Sequence, residues 1–161
     1  MSMKTNTGCV LLASLMLTAS GTTLAADNLH FYGNLLSKSC TLVVDGEVLA
    51  GQSSRVQVVF KLKDCKGPAD YQVKVTLTGT EDSEQPGFLA LDPASSAQGV
   101  GIGMEKSDGT WVPLNDSAGA TFNLTNGANN LNFNAWLQAK SGREVTSGDF
   151  TASLTATFEY I

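Results

Sequence analysis

Few residues of this 161-residue chain could do chemistry, and the cysteines are the most informative of them. Cys40 and Cys65 form an even pair, and in an exported chain such a pair predicts one disulfide. Closing a loop of this length stabilises a fold by about 3–4 kcal/mol in the chain-entropy model. A metal site is the weaker interpretation, because two cysteines and the single, distant His30 make a poor ligand set. Cys9 lies upstream of the predicted cleavage site and is given no role.

Three carboxylates, Glu81, Asp82 and Glu84, crowd the stretch 81–87 and suggest a calcium site. They lack the spacing and the glycine of a known calcium loop, so the stretch predicts a solvated, exposed acidic loop instead. We therefore expect no metal and no cofactor.

The glycine-rich stretch 99–104 superficially resembles a phosphate-binding loop. It lacks the Lys-Ser/Thr pair of a P-loop, and no helical pattern follows it. It predicts a strand with Val100, Ile102 and Met104 on one face. The sequence also contains no recognisable Ser, His and Asp nucleophile arrangement and no carboxylate pair in an apolar setting, so an enzyme is not expected.

The element on which the rest of the fold depends is the last one, residues 148–161. Apolar side chains fall on every second position, which predicts a long strand with one buried face. A strand this apolar needs neighbours on both edges, because an open edge invites pairing with another chain. The residues of the apolar face are Phe150, Ala152, Leu154, Ala156, Phe158 and Tyr160.

A second alternating strand is predicted over residues 27–36, with Leu29, Phe31, Gly33 and Leu35 on its apolar face. It can be an ordinary first strand of a sandwich. Gly33 favours a sharper interpretation, because a glycine on an apolar strand face leaves a gap that another backbone or side chain can approach closely.

Seven or eight short strands with turn signals between them are predicted along the chain, which is typical of an immunoglobulin-like β-sandwich. The turn signals include Asp108-Gly109, which makes a hairpin into residues 111–114, and Asn126-Gly127. Besides the two alternating strands, strands are predicted over residues 40–44, 56–62, 71–77, 99–104 and 131–139, and the stretches 111–114 and 122–124 are shorter.

The first 25 residues predict a secretory signal peptide, with Lys4 as the positive region and an apolar run over residues 10–17. Cleavage after Ala25 fits the small-residue rule, and cleavage after Ala26 fits nearly as well. The run is too short to span a membrane. The net charge of −5, without a basic patch, argues against a nucleic-acid partner.

Three motifs in order make the chain resemble a fimbrial subunit (pilin) of the bacterial chaperone–usher pathway. The pattern Phe31-x-Gly33-x-Leu35-Leu36 followed by Cys40-Thr41 resembles the donor segment and first cysteine of minor tip pilins. Residues 99–102, 108–109 and 112–115 resemble the hairpin of the family. Gly148 is fourteenth from the end and Tyr160 is penultimate, as in the family signature. Two departures are a short stretch between the cysteines and the apolar last residue, Ile161.

The resemblance implies an incomplete immunoglobulin-like β-sandwich that lacks its last strand and is completed by a strand from another protein. Residues 26–38 would be the N-terminal donor extension and residues 39–161 the pilin domain. A periplasmic chaperone would fill the groove first, and at the outer-membrane usher the donor strand of the next subunit would replace it. The implied donor residues are Leu29, Phe31, Gly33 and Leu35; the implied acceptor and chaperone-binding residues are Gly148, Phe150, Ala152, Leu154, Ala156, Phe158, Tyr160 and Ile161.

The resemblance thus implies a structural subunit of an adhesive surface fimbria, exported through the periplasm to the cell surface. A minor or adaptor pilin is the first interpretation, and a major rod pilin is the second. The remaining alternative is a self-complemented exported β-sandwich that binds a ligand on its own, with residues 27–36 folded back as its own strand.

Overall fold

The alternating apolar residues of this chain form two antiparallel sheets. The structure, a computed structural model, describes residues 2–6, 24–35 and 51–161. Within these ranges the secondary structure is β-strand without a helix, and consequently no helix there is long and apolar enough to cross a membrane. The strands are β1 Ser2–Asn6, β2 Leu24–Leu35, β3 Val56–Cys65, β4 Gln72–Gly79, β5 Val100–Lys106, β6 Ala120–Asn123, β7 Gly127–Ala139 and β8 Gly148–Tyr160.

The two sheets have the orders β1-β2-β8-β4-β6 and β3-β7-β5. Strand β8 is therefore a central strand, with β2 on one edge and β4 on the other. The fold class expected from the sequence, an all-β sandwich of antiparallel sheets, is confirmed.

Aromatic rings join the two sheets in the core. The ring of Phe60 on β3 meets that of Phe158 on β8 edge-on, with centroids 5.3 Å apart. It also meets Phe133 on β7 at 5.6 Å, again edge-on. Such edge-to-face pairs are favourable beyond the area they bury, so β8 is fixed to the opposite sheet at its C-terminal half.

The predicted strands correspond to observed strands at seven places in the described part of the chain, with ends that differ by a few residues. The predicted strand over residues 40–44 lies outside the described residues. The stretch 111–114 is not a full strand: it makes a single bridge, between Glu105 and Trp111. Pro113 lacks the N–H that a continued ladder would require.

The prediction of a solvated acidic loop over residues 81–87 was wrong for Asp82. Its side chain is buried, forms an ion pair with Lys140 at 2.6 Å, and accepts hydrogen bonds from the backbone N–H groups of Glu84 and Gln85. A short turn of this kind folds around its own carboxylate. The sequence pattern missed this because the cation lies more than fifty residues away.

Candidate strand-binding groove

The site on which the fold centres is the ladder between β2 and β8. The strands pair antiparallel without a register shift, from Leu24 opposite Glu159 to Leu35 opposite Gly148. Residues 26–35, the described part of the predicted donor extension 26–38, therefore lie beside the C-terminal strand predicted as its acceptor. In this structure both strands belong to the same chain.

The apolar faces of the two strands complement each other in size. Phe31 and Leu29 are each 1% exposed, and they lie opposite Ala152 and Leu154. The largest donor side chain thus pairs with a small residue of β8. The order of sizes is reversed at the next pair on the same face, where Gly33 lies opposite Phe150. Cross-strand pairs of this kind determine the register of a sheet.

The polar face of β2 is exposed. The Thr155 hydroxyl donates a hydrogen bond to the side-chain oxygen of Asn28 at 2.8 Å. His30 is exposed opposite Ser153, and the Tyr32 side chain is 36% exposed. One face of β2 is buried and the other is exposed. If β2 shifted by one residue along β8, its polar face would be buried, so only a shift by an even number of residues keeps Leu29 and Phe31 in the core.

The other edge of β8 is fully occupied by this chain. Strand β4 pairs with its C-terminal half, and Lys74 forms an ion pair with Glu159 at 2.7 Å. The segment before β5 covers the N-terminal half, where Ser96 N–H donates to the Asp149 carbonyl at 2.9 Å. An incoming strand can therefore pair with β8 only along the edge that β2 occupies.

The predicted acceptor residues divide by burial along β8. Gly148 and Tyr160, at the two ends of the strand, are half-buried, and Ile161 is 57% exposed, although its backbone pairs with Gln72. The fully buried residues are Phe150, Ala152, Leu154, Ala156 and Phe158.

A glycine is required at position 148 because the backbone of residues 96 and 97 passes very close to the start of β8. Its φ is 152°, and a Cβ atom there would lie 2.4 Å from the Ser96 hydroxyl and 2.9 Å from the Ala97 nitrogen. No side chain fits in this space. The glycine that the sequence motif singled out therefore lets the segment before β5 close over the start of β8.

Cys65 lies at the opposite end of the groove. Its half-buried thiol interacts with the Tyr71 phenol, which also donates a hydrogen bond to the Thr125 carbonyl at 3.2 Å. Burial and the neighbouring Cys65 raise the pKa of Tyr71 and that of Tyr160. The predicted partner, Cys40, lies outside the described residues, so the disulfide stays a prediction.

An aromatic cluster on the outer face of the β3-β7-β5 sheet was missed by the sequence pattern. Trp136 is buried although it lies on the face of β7 that alternation assigns to solvent. The Arg55 guanidinium lies 4.6 Å from the Trp136 ring centroid, and Phe88 meets that ring edge-on at 6.0 Å. The close contact is possible because Gly103 leaves room: a Cβ there would lie 2.5 Å from the Trp136 ring.

No group of three metal-ligating side chains occurs among residues that the structure describes. Near Asp82, the Glu84 carboxylate is paired with Arg143 and Lys140, and Glu81 accepts a hydrogen bond from the backbone N–H of Gly87.

Comparison with known proteins agrees with this geometry. The model of the family "Fimbrial protein" matches residues 41–161. The fimbrial-like protein YfcP of Escherichia coli (strain K12) is 68% identical, over 99% of this chain and 98% of that protein. The major MR/P fimbria protein of Proteus mirabilis (strain HI4320) is 27% identical, over 98% and 99%. The probable major fimbrial subunit LpfA of Escherichia coli O157:H7 is 31% identical, over 77% and 80%.

Solved structures share the fold. The P pilus rod subunit PapA matches with a TM-score of 0.59 and 23% identity, over 79% of this chain and 97% of that one. A subunit of a chaperone–usher pilus matches with a TM-score of 0.54 and 21% identity, over 95% and 98%.

The alignment with YfcP spans 176 positions, while this chain has 161 residues, so the relative carries at least 15 residues without a counterpart here. The matched family is one of structural proteins rather than of enzymes, and its members build fibres on the cell surface. The chain belongs to the family of fimbrial proteins.

Proposed function

We propose that this fimbrial subunit polymerises by strand exchange, with residues 27–35 of one copy lying beside β8 of the next copy. The observation that carries the proposal is the β2–β8 ladder, in which the apolar side chains of the N-terminal segment fit a groove along β8. A second copy offers the same side chains in the same order. It can therefore replace the chain's own strand without changing any contact of the groove.

The energetics favour exchange over an open groove. Burying Leu29 and Phe31 contributes about 3–6 kcal/mol before the cost of ordering the strand. Without β2, the edge of β8 would expose a row of unpaired N–H and C=O groups in addition to this apolar floor. We propose that a periplasmic chaperone protects the edge during export and that an outer-membrane usher catalyses the replacement by the next subunit, with each partner adding a strand to the edge of β8.

The signal peptide prediction bears on the same site. Cleavage after Ala25 would remove β1, which pairs with β2 through residues 2–6, together with the first two residues of β2. It would leave a short N-terminal strand free to move to a neighbour. Residues 1–25 as signal, 26–38 as donor extension and 39–161 as pilin domain remain our proposed division.

Within the fimbria we propose a minor or adaptor subunit that supports cell adhesion. The support is the Phe31-x-Gly33-x-Leu35-Leu36 pattern followed by Cys40-Thr41. A major rod subunit is the second candidate, favoured by the relatives named as major subunits. Immunogold electron microscopy separates the two: gold at fibre tips or junctions supports the adaptor, and gold along the whole fibre supports the rod.

The assembly proposal is tested by disabling the donor strand alone. We expect Leu29→Asp/Phe31→Asp to abolish fibres on cells that produce the assembly proteins, while the secreted domain still forms a soluble complex with the chaperone. The matched control is Asn28→Asp/His30→Asp on the exposed face of the same strand, which should still form fibres. Fibres made by the first variant would refute the proposal.

Producing the secreted chain together with a candidate chaperone, and purifying it, tests the same groove before assembly. We expect the secreted chain to be recovered as a complex, whereas a stable monomer with a filled groove would favour the self-complemented binding module. A truncation before Gly148 is a poor probe, because it removes five buried residues of a central strand and with them the core.

A further inference from the structure

A polar cleft lies on the exposed face of the sheet that contains β2, β8 and β4. It has a volume of about 280 Å³ and is lined by residues of all three strands. Side chains alternate between the two faces of a strand, so the apolar side chains of the groove lie on the opposite face. The cleft is therefore separate from the contacts that Leu29 and Phe31 make in the core.

The first row of side chains across the cleft is held by its own hydrogen bonds. Asn28 of β2 lies opposite Thr155 of β8, and Thr155 lies opposite Thr78 of β4. The Thr155 hydroxyl donates to the Asn28 side-chain oxygen at 2.8 Å, and the Thr78 hydroxyl donates to the Thr155 carbonyl at 3.4 Å. These side chains are thus oriented before any ligand binds.

The second row provides polar groups that the protein itself does not use. His30 lies opposite Ser153, and Thr80, which follows the last residue of β4, lines the cleft on the other side. Within the described part of the chain, the side chains of these three residues make no hydrogen bond. Ser153 has the smallest side chain of the three, so it forms a low floor between two taller walls.

The rim of the cleft beside β4 is fixed by a side chain. The Gly79 N–H donates to the side-chain oxygen of Asn115, and the Asn115 amide donates back to the Gly79 carbonyl, both at 3.1 Å. Asn115 thus pairs with the end of β4 as a neighbouring strand would. A site that is held in place in this way loses little conformational freedom when a ligand binds.

The chemistry of the lining selects the class of ligand. Hydroxyl and amide groups both donate and accept hydrogen bonds, as the hydroxyl groups of a sugar do. No lysine, arginine, aspartate or glutamate is among the described residues that line the cleft, so a charged ligand would find no opposite charge to offset its desolvation. Pockets for drug-sized ligands measure roughly 300–1,000 Å³, so this smaller cleft matches a single ring.

An exposed aromatic side chain lies next to the cleft. Tyr32 follows His30 by two residues on the same face of β2, which at the rise of a strand is about 7 Å, and its side chain is 36% exposed. A tyrosine ring offers an apolar face together with a polar hydroxyl. It can contact the C–H groups of a sugar whose hydroxyl groups are bound in the cleft.

We propose that this cleft binds a neutral sugar ring through the hydroxyl, amide and imidazole groups of its two rows. The proposal rests on the proposed strand exchange in one respect: in a fibre, Asn28 and His30 come from one copy, and Thr78, Ser153 and Thr155 come from the next. Each junction between subunits then carries one complete site. A single open site binds weakly, but the many sites of one fibre together give avidity for a surface that displays sugars.

Saturation-transfer NMR with the purified secreted chain and with purified fibres tests the proposal. The probes are D-glucose, D-galactose and N-acetyl-D-glucosamine, and inorganic phosphate, followed by its phosphorus line width, is the charged comparison. We expect transfer of magnetisation to the ring protons of at least one sugar and no broadening of the phosphate line. Transfer to none of these sugars would overturn the proposal, whether or not phosphate binds.

A substitution on the floor of the cleft locates the site. We expect Ser153→Leu to raise the dissociation constant of the sugar about tenfold or more, since the larger side chain fills the cleft and removes a hydroxyl. Thr157→Leu is the matched control: it lies on the same face of β8, about 14 Å further along the strand and outside the lining, and should bind as the parent does. Equal binding by the parent and Ser153→Leu would overturn the proposal.

Electron microscopy of the cells that produce these variants separates this proposal from strand exchange. We expect Ser153→Leu to form fibres as the parent does, because the groove lies on the opposite face of β8. Parent fibres that form but bind no sugar would refute the cleft alone. A secreted parent chain that binds a sugar but forms no fibres would refute strand exchange and leave the cleft standing, since the chain's own β2 completes it.

Discussion

Phe31 lies opposite Ala152 across the β2–β8 ladder, and both side chains are 1% exposed. A large side chain of the N-terminal segment is thus received by a small residue of the C-terminal strand. The neighbouring pair of Gly33 and Phe150 has the opposite order of sizes. This alternation makes the register specific, and it holds equally whether the two strands belong to one chain or to two.

Enlarging Ala152 should therefore weaken strand pairing. We expect Ala152→Leu to lower the free energy of unfolding by about 1–3 kcal/mol, because extra methyl groups would be forced against Phe31. Ser153→Leu, one residue further on the exposed face, is the matched control and should change it by about 0.5 kcal/mol or less. Denaturant unfolding followed by tryptophan fluorescence measures both, and equal effects would argue against the observed register.

Truncating Phe31 removes the largest side chain that the donor strand contributes. We expect Phe31→Ala to cost about 3–5 kcal/mol in the free energy of unfolding when the strand is bound. Tyr32→Ala removes a ring of similar size from the exposed face and should cost far less. If the two substitutions cost the same in urea titrations, Phe31 does not anchor the strand.

The ion pair of Asp82 and Lys140 stabilises the turn that leads towards β5. We expect Asp82→Asn to lower the free energy of unfolding by about 3 kcal/mol, since it leaves Lys140, whose side chain is 18% exposed, with only the more distant Glu84 at 3.9 Å. Asp116→Asn is the control, because Asp116 is an aspartate that accepts a backbone hydrogen bond in a more exposed turn. Thermal unfolding measures both variants, and equal melting temperatures would contradict the prediction.

The two tyrosines near Cys65 make the stability of the fold depend on pH in the alkaline range. Burial, and then the neighbouring Cys65 side chain, raise the pKa of Tyr71 and of Tyr160 above the ordinary value of 10.0. A raised pKa means that folding favours the neutral phenol, so the contribution to stability is complete below pH 10 and is lost as pH rises through the folded-state pKa. A disulfide at Cys65 would remove the contribution of that side chain, leaving burial for both tyrosines and the neighbouring Tyr160 for Tyr71.

We therefore expect the phenolate absorbance to appear at lower pH in the disulfide-bonded protein than in the reduced protein. Tyr71→Phe and Tyr160→Phe assign the two steps. Identical alkaline titrations of the oxidised and reduced proteins would contradict the placement of Cys65 beside these rings.

The strands of this fold could be predicted because their side chains alternate strictly. The pattern of β8 assigned Phe150, Ala152, Leu154, Ala156 and Phe158 to the buried face, and each of them is buried. Alternation indicates which face of a strand is covered, but it carries no information about which strand covers it. The sequence did not indicate whether β2 lies in the groove of its own chain, because an N-terminal donor strand and the first strand of a sandwich have the same alternating pattern.

The features that the pattern missed depend on long-range contacts. Trp136 occupies a solvent-side position of β7 and becomes buried because Arg55 and Phe88 cover it. Asp82 belongs to an acidic stretch and becomes buried because Lys140, from a distant part of the chain, reaches it. Neither partner is detectable from local periodicity, which describes single strands only.

The most direct test of strand exchange is to trap the ladder where its polar side chains meet. Asn28 and Thr155 are cross-strand partners whose side-chain oxygens lie 2.8 Å apart. A chain carrying Asn28→Cys/Thr155→Cys is assembled from a mixture of isotopically light and heavy copies, and the linked peptides are identified by mass spectrometry. Our account predicts links between residues 28 and 155 that join light to heavy copies. Links confined to single copies would show that β2 stays in its own groove and would contradict the account.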